Sequence, residues 1–348
     1  MSTTAAAMPA FVATSPARPP RDRRLDLDRA KGVAILIVVF GHIVAGAPPP
    51  GAEWWDLLRT AIYAFHMPFF LYLSGTVFGL MGTQRTPLAG MPALAAKRAA
   101  RLLPPFFLFG LLILFGKLAT EHFVHVDNRP DGLLGGLRDL LFTTARSPAT
   151  SVWYLWVLFV CSIAAPPIWR RVGAPGLVLV GLLLLALDPP SILYADRLAR
   201  HAVFFAIGIW AAEREALLLP LFTRYLALWW LAFVAALLLA VFGPLEGDLA
   251  LLVCGLLSIP ALHGLMRVGP VTRWQWPLAL GQASMVIYLF NTIAIGVAKA
   301  VLILAGIGWT ASGFWIHIPV LTAAGVLLPM LGKRLVLRRI PVLDRMTS

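Results

Sequence analysis

Asp28, Lys31 and His42 are the residues whose types and spacing most invite chemistry. Lys31 and His42 stand eleven positions apart, close to three helical turns. On a helix they share a face, separated by about 16 Å along the axis. Asp28, three residues before Lys31, can pair with it and fix its direction. Imidazole changes charge near neutral pH and so suits a base that takes a proton from a hydroxyl. An ionisable side chain within an apolar, membrane-grade run is expensive, which marks the track as a candidate site. The bland alternative for one such histidine is a hydrogen-bonded tie between helices.

Further polar residues recur inside apolar runs. The stretch Phe65-His66-Met67-Pro68-Phe69-Phe70-Leu71-Tyr72-Leu73-Ser74-Gly75 holds a second histidine, His66, and a proline expected to open a carbonyl and kink its helix. Ser74 and Gly75 are small enough for close helix packing, and no adjacent base marks Ser74 as a nucleophile. Arg98 and Arg101 lie at i,i+3 and can form a fork for phosphates, or simply anchor to lipid headgroups. Trp153-Tyr154-Leu155-Trp156 reads as an interfacial belt or a pocket wall. Ser284, Tyr288 and Asn291 recur on one helical face and can hold helices together. His201, Glu213, Asp188 and His317 are isolated and receive no role. No P-loop, dinucleotide fingerprint, zinc-protease helix or nucleophile elbow is present.

The elements that carry these residues must be membrane helices. The 348 residues are 59% hydrophobic and 13% charged, with mean hydropathy +0.82, more apolar surface than a soluble fold hides. The expected fold is all-α and polytopic, with about ten spans: 32–48, 57–80, 102–122, 151–169, 175–188, 199–212, 221–242, 248–266, 277–301 and 312–332. The two short spans around Asp188-Pro189-Pro190 could instead form one re-entrant pair. With the N-terminus inside, inner segments hold 21 Lys and Arg against six in outer loops. That bias places both termini in the cytoplasm and favours an even number of spans. The same distribution argues against nucleic acid as the target of the net charge of +13, because the basic residues recur between spans rather than pooling on one element. Residues 1–24 read as a disordered cytoplasmic tail, 25–335 as the membrane domain and 336–348 as a basic cytoplasmic tail. A longer outer loop, 123–150, carries His125, Asp127, Asp131, Arg138, Asp139 and Arg146. Cys161 and Cys254 sit in apolar runs without paired spacing, so neither a disulfide framework nor a metal site is expected.

In order, spacing and sidedness these segments resemble the acyltransferase-3 family of integral membrane O-acyltransferases. Lys31, ten intervening residues and His42 are similar to the family's first-span motif, where many members have Arg, and Asp28 matches its earlier acidic residue. The MPFFLYLSG stretch, the Arg98-x-x-Arg101-Leu-Leu-Pro104 run, Trp153-Tyr154-Leu155 and Gly281-x-x-Ser284-x-x-Ile287-Tyr288-Leu289 resemble its later motifs. At the end of the last one the family usually has His and this chain has Asn291. The wording is closest to the branch of sugar and polysaccharide O-acetyltransferases.

The resemblance implies acyl-CoA as co-substrate, acetyl-CoA above succinyl-CoA, with no bound cofactor and no metal. It implies a hydroxyl of a sugar or glycan as acceptor. Arg98 and Arg101 would hold the donor's phosphates, with Lys31 helping near the inner surface. His42 would act as general base or as a transient acyl-histidine, supported by His66. The remaining motif residues, Asp28, Ser74, Trp153, Ser284, Tyr288 and Asn291, would support the site. Composition points to a bacterial inner membrane, and oligomeric state is open. Two rivals remain at this point: a proton-coupled transporter or flippase that uses the intramembrane histidines, and a non-enzymatic receptor or scaffold.

Overall fold

The computed structural model describes residues 24–44, 46–120, 129–149 and 151–347. Most of the N-terminal tail, and His125 and Asp127 of the outer loop, lie outside the described residues. Those described are all-helical, without a strand.

Helix α1 (Leu25–Gly41) starts with Asp26 and Asp28 in its first turn, where carboxylates complement the helix dipole. It begins seven residues before the predicted span 32–48 and ends before the Ala47-Pro48-Pro49-Pro50 run. The charged cluster is thus the helix's own first turns, and His42 caps its far end rather than lying in its middle. The predicted span 57–80 divides into α2 (Trp54–Tyr63) and α3 (His66–Leu80). Pro68 is the cause: it cannot donate to the carbonyl of Ala64, and the helix restarts with Pro68 in its first turn.

Helix α4 (Met91–Thr120) passes through Pro104 and Pro105, and α5 (Gly132–Leu141) is short and amphipathic. Helix α6 (Trp153–Leu185) is broken at Gly173, whose φ of 68° and ψ of −176° only glycine adopts freely, with Pro175 just beyond. Its two arms correspond to the predicted spans 151–169 and 175–188, and Arg170 and Arg171 sit just before the break. Helix α7 (Ala195–Glu213) follows. Helices α8 (Glu215–Arg224) and α9 (Leu226–Phe242) meet at 79°, so the predicted span 221–242 starts only at Leu226. Helix α10 (Gly247–Ser258) continues through a π-turn, Ile259–His263. The predicted span 277–301 is again two helices, α11 (Trp276–Gln282) and α12 (Ser284–Leu304), broken at Ala283. Helices α13 (Ala311–Leu335) and α14 (Pro341–Met346) close the chain.

Five stretches are long and apolar enough to cross a bilayer alone: Trp54–Leu80, Leu88–Ala119, Trp153–Leu185, Ser284–Leu304 and Ala311–Arg339. Counting the bent pair α8–α9 as one span makes six. Ten crossings would require α1, α7 and α10 to cross despite their shortness or charges, and α6 to cross twice. The protein is a multi-pass membrane protein. In its most apolar window Trp54–Leu80 is 78% buried, against 17% for Trp153–Leu185. Helix α3 is therefore innermost, while α6 turns apolar surface outward, where lipid tails can cover it.

Two reciprocal glycine crossings bring the central helices together. A Cβ on Gly75 of α3 would strike the backbone of Phe205 in α7, and one on Gly208 of α7 would strike Tyr72 and Thr76 of α3. A Cβ on Gly32 of α1 would strike the backbone of Pro277 in α11, and one on Gly281 of α11 would strike Asp28. Lipid tails are as apolar as leucine, so membrane helices associate through such close backbone approach.

Candidate active site

The first and twelfth helices meet at one side-chain hydrogen bond. His42 Nδ1 lies 2.8 Å from Asn291 Oδ1. The Asn291 amide nitrogen donates to the carbonyls of Ile287 and Tyr288, at 3.0 and 2.7 Å, and Asn291 is fully buried. Carbonyls accept only, so these two bonds fix which end of the amide is oxygen. That oxygen faces His42 and can only accept. His42 must therefore carry its proton on Nδ1, and a neutral ring presents the lone pair of Nε2. A base or nucleophile with one defined reacting atom results.

His66, 4% exposed, starts α3 and donates from Nδ1 to the Ile62 carbonyl at 2.8 Å, which also leaves Nε2 as its lone pair. Its ring packs edge-on to Tyr63 at 4.8 Å, and Tyr63 donates to the Gly41 carbonyl at 3.5 Å, next to His42. His201, given no role from sequence, repeats the pattern. It donates from Nδ1 to the Arg197 carbonyl at 2.8 Å and packs on Trp153 at 4.8 Å. His66 is within electrostatic reach of His42, and His201 of His66. Trp153, with the Arg197 guanidinium 5.9 Å from its ring, thus packs against His201. His201 was missed because its i−4 carbonyl bond and its aromatic neighbour leave no motif in the sequence.

A polar seam runs beside this cluster. Ser74 and Tyr154 share a hydrogen bond of 2.6 Å, Tyr154 packs on Tyr288 at 5.4 Å, and Tyr288 donates to the Ser151 carbonyl. Tyr154 is also within electrostatic reach of Arg101. Arg98 is half-buried with its guanidinium 5.1 Å above the Phe78 ring, and Arg101 is exposed. Ser284 begins α12 and is half-buried. Asp28 and Lys31 are half-buried on α1, at the end where α11 crosses it.

Asp26, two residues before Asp28, anchors a charged junction that sequence reasoning did not find. It bonds Arg24 at 3.0 Å, pairs with Arg267 and lies 3.5 Å from His263, which bonds the Tyr72 hydroxyl at 2.9 Å. Arg24 also reaches Glu215 at 2.6 Å. The junction ties α1 to α3, α8 and the π-turn. No group of His, Cys, Asp and Glu able to hold a metal ion occurs among the described residues.

The profile of the acyltransferase-3 family, described as an acyltransferase domain, matches residues 24–334. The chain is 30% identical over 141 residues to nodulation protein NolL of Sinorhizobium fredii, covering 39% of this chain and 34% of that protein. It is 26% identical over 144 residues to nodulation protein NolL of Mesorhizobium japonicum, covering 41% and 35%. The chain thus aligns with about a third of the length of these curated relatives. No solved structure matches. With the family profile spanning nearly every helix described above, the chain belongs to the acyltransferase-3 family of integral membrane O-acyltransferases.

Proposed function

We propose that this protein moves an acyl group, acetyl in the simplest case, from acyl-CoA to a hydroxyl of a sugar or glycan at a bacterial inner membrane. The observation that carries the reading is the His42–Asn291 pair, which leaves one half-buried imidazole with a single defined lone pair. His42 Nε2 takes the acceptor's hydroxyl proton, or accepts the acyl group itself. Arg98 and Arg101 bind the donor's phosphates by charge-assisted hydrogen bonds, and Lys31 supports them near the cytoplasmic surface. His66 supports His42 from the start of α3. Asp28, Ser74, Trp153, Ser284 and Tyr288 shape the surrounding walls. A thioester is a sufficiently activated donor that the transfer needs neither ATP nor metal.

In this reading the donor approaches from the cytoplasm, both termini are cytoplasmic, and ten crossings are made by α1, α2–α3, α4, the two arms of α6, α7, α9, α10, α11–α12 and α13. The test is incubation of purified protein with radiolabelled acetyl-CoA and a crude membrane glycan extract. Label entering glycan with the wild type and not with His42→Ala is the expected result. Unchanged transfer by His42→Ala, at equal expression, overturns the role of His42. Proton-dependent solute flux without a covalent product would instead make the protein a transporter.

A further inference from the structure

The proposed function leaves two chemistries open for His42, and Asn291 separates them. In a relay, Nε2 attacks the thioester carbonyl, the C–S bond breaks, and thiolate leaves. The ring then carries the acyl group on Nε2 and still holds its proton on Nδ1. It is a cationic acyl-imidazolium. It becomes a neutral, longer-lived acyl-imidazole only if Nδ1 gives up that proton. Its partner there is an amide oxygen, which accepts a hydrogen bond but is far too weak a base to take the proton. The amide cannot rotate to help, because its nitrogen is held by the Ile287 and Tyr288 carbonyls. Asn291 is fully buried, so water does not stand in for it. The acyl-imidazolium therefore persists beside the expelled thiolate, and return of the acyl group to sulfur is its easiest fate.

We propose, on the reading of the protein as an acyltransferase, that Asn291 is a positioning residue that commits this chain to direct transfer with donor and acceptor bound together, without accumulation of an acyl-histidine. The acceptor hydroxyl gives its proton to His42 Nε2 as its oxygen forms the new C–O bond to the acyl carbon. The tetrahedral intermediate then breaks its C–S bond, and the leaving sulfur takes the proton back from Nε2. The products are an ester and a free thiol, and His42 returns to its neutral Nδ1-protonated form. A histidine at position 291, as the resembling family usually has, could carry the Nδ1 proton away and make the relay accessible.

The experiment needs no identified acceptor. Purified protein is incubated with unlabelled acetyl-CoA and radiolabelled free CoA, and label entering acetyl-CoA is followed. Above the uncatalysed thiol–thioester exchange measured without protein, this exchange occurs only through an acyl-enzyme. Wild type is expected to exchange at less than a hundredth of the rate at which it transfers label to the glycan extract. N291H, and in case it fails to fold N291D, is expected to raise exchange at least tenfold. A merely structural role for Asn291 would lower transfer in every variant and create exchange in none. Exchange by wild type at its transfer rate, or recovery of an acylated His42 peptide after acid quench, overturns direct transfer while leaving the acyltransferase reading in place. Transfer to glycan by wild type with no gain of exchange in either folded variant overturns the role of Asn291. Neither transfer nor exchange in any form of the protein overturns the acyltransferase reading itself.

Discussion

Gly281→Ala tests whether the contact between α1 and α11 sets the geometry of His42. A Cβ at Gly281 would lie 2.8 Å from the Asp28 carbonyl carbon and closer still to its oxygen, where 3.4 Å begins ordinary contact. The obstacle is backbone, so no side-chain rotation relieves it. The nearer oxygen sets the displacement, so the two helices must part by roughly 1.5 Å, and interiors packed to crystal density transmit such shifts. Helices α1 and α12 run beside each other from this crossing to the His42–Asn291 bond. An equal shift there carries that bond from 2.8 Å to beyond the range of a useful hydrogen bond. Losing its net contribution of about 1 kcal/mol slows transfer about fivefold. Overpacking costs a further 1–3 kcal/mol or so of stability. Gly296→Ala is the control on α12, since nothing lies within 4 Å of its added Cβ. Alanine there removes the helix penalty of glycine and stabilises by up to about 1 kcal/mol. Thermal unfolding in detergent and acyl transfer to glycan extract are measured on both variants. If Gly281→Ala unfolds at the wild-type temperature with wild-type activity, the backbones do not meet as described and the argument fails.

Four other outcomes are expected. Arg98→Ala and Arg101→Ala each raise KM for acyl-CoA about tenfold, as loss of a charge-assisted hydrogen bond near 1.5 kcal/mol requires, with kcat little changed; initial-rate kinetics would show an unmoved KM if the donor sits elsewhere. Ser74→Ala strands the buried Tyr154 hydroxyl and costs about 1–3 kcal/mol, whereas adding Tyr154→Phe removes both partners and restores most of it; equal melting temperatures for the single and double variants would refute the pair. Cys161 and Cys254 are both buried, so a maleimide should label the folded protein slowly and the unfolded protein twice. A fluorescent reporter fused after Ser348 should light only on the cytoplasmic side, and an alkaline-phosphatase fusion there should be inactive; the reverse would invert the proposed topology.

Residues that face each other along one helix were legible in the sequence, and residues that meet across helices were not. The period of 3.6 puts Asp28, Lys31 and His42 on a single stripe, and Ser284, Tyr288 and Asn291 on another. Both stripes lie on helices, α1 and α12, with His42 at the end of the first. Nothing in either stripe says that the two converge. That fact depends on Gly32 and Gly281 letting two backbones cross, and a glycine in a membrane helix is too common to announce a partner. Span boundaries went astray for a related reason. Hydropathy averages over a window, so it extends the first span past Gly41 into a proline-rich turn and misses the breaks at Ala64, Tyr225 and Ala283, although it separates the two arms of α6 that meet at Gly173. Those breaks matter to the chemistry. His42 closes a helix, His66 opens one, Trp153 opens one, and Asn291 sits two turns beyond a restart. Helix ends free backbone carbonyls that side chains can engage, such as those of Ile62 and Ser151. Within a membrane such irregular backbone is tolerated only where protein surrounds it or a cavity is lined. The broken helices and the histidines therefore share one cause: polar groups at membrane depth need polar partners, and interrupting a helix supplies them. The same requirement explains Asn291, whose amide bridges its own helix carbonyls and His42 at once.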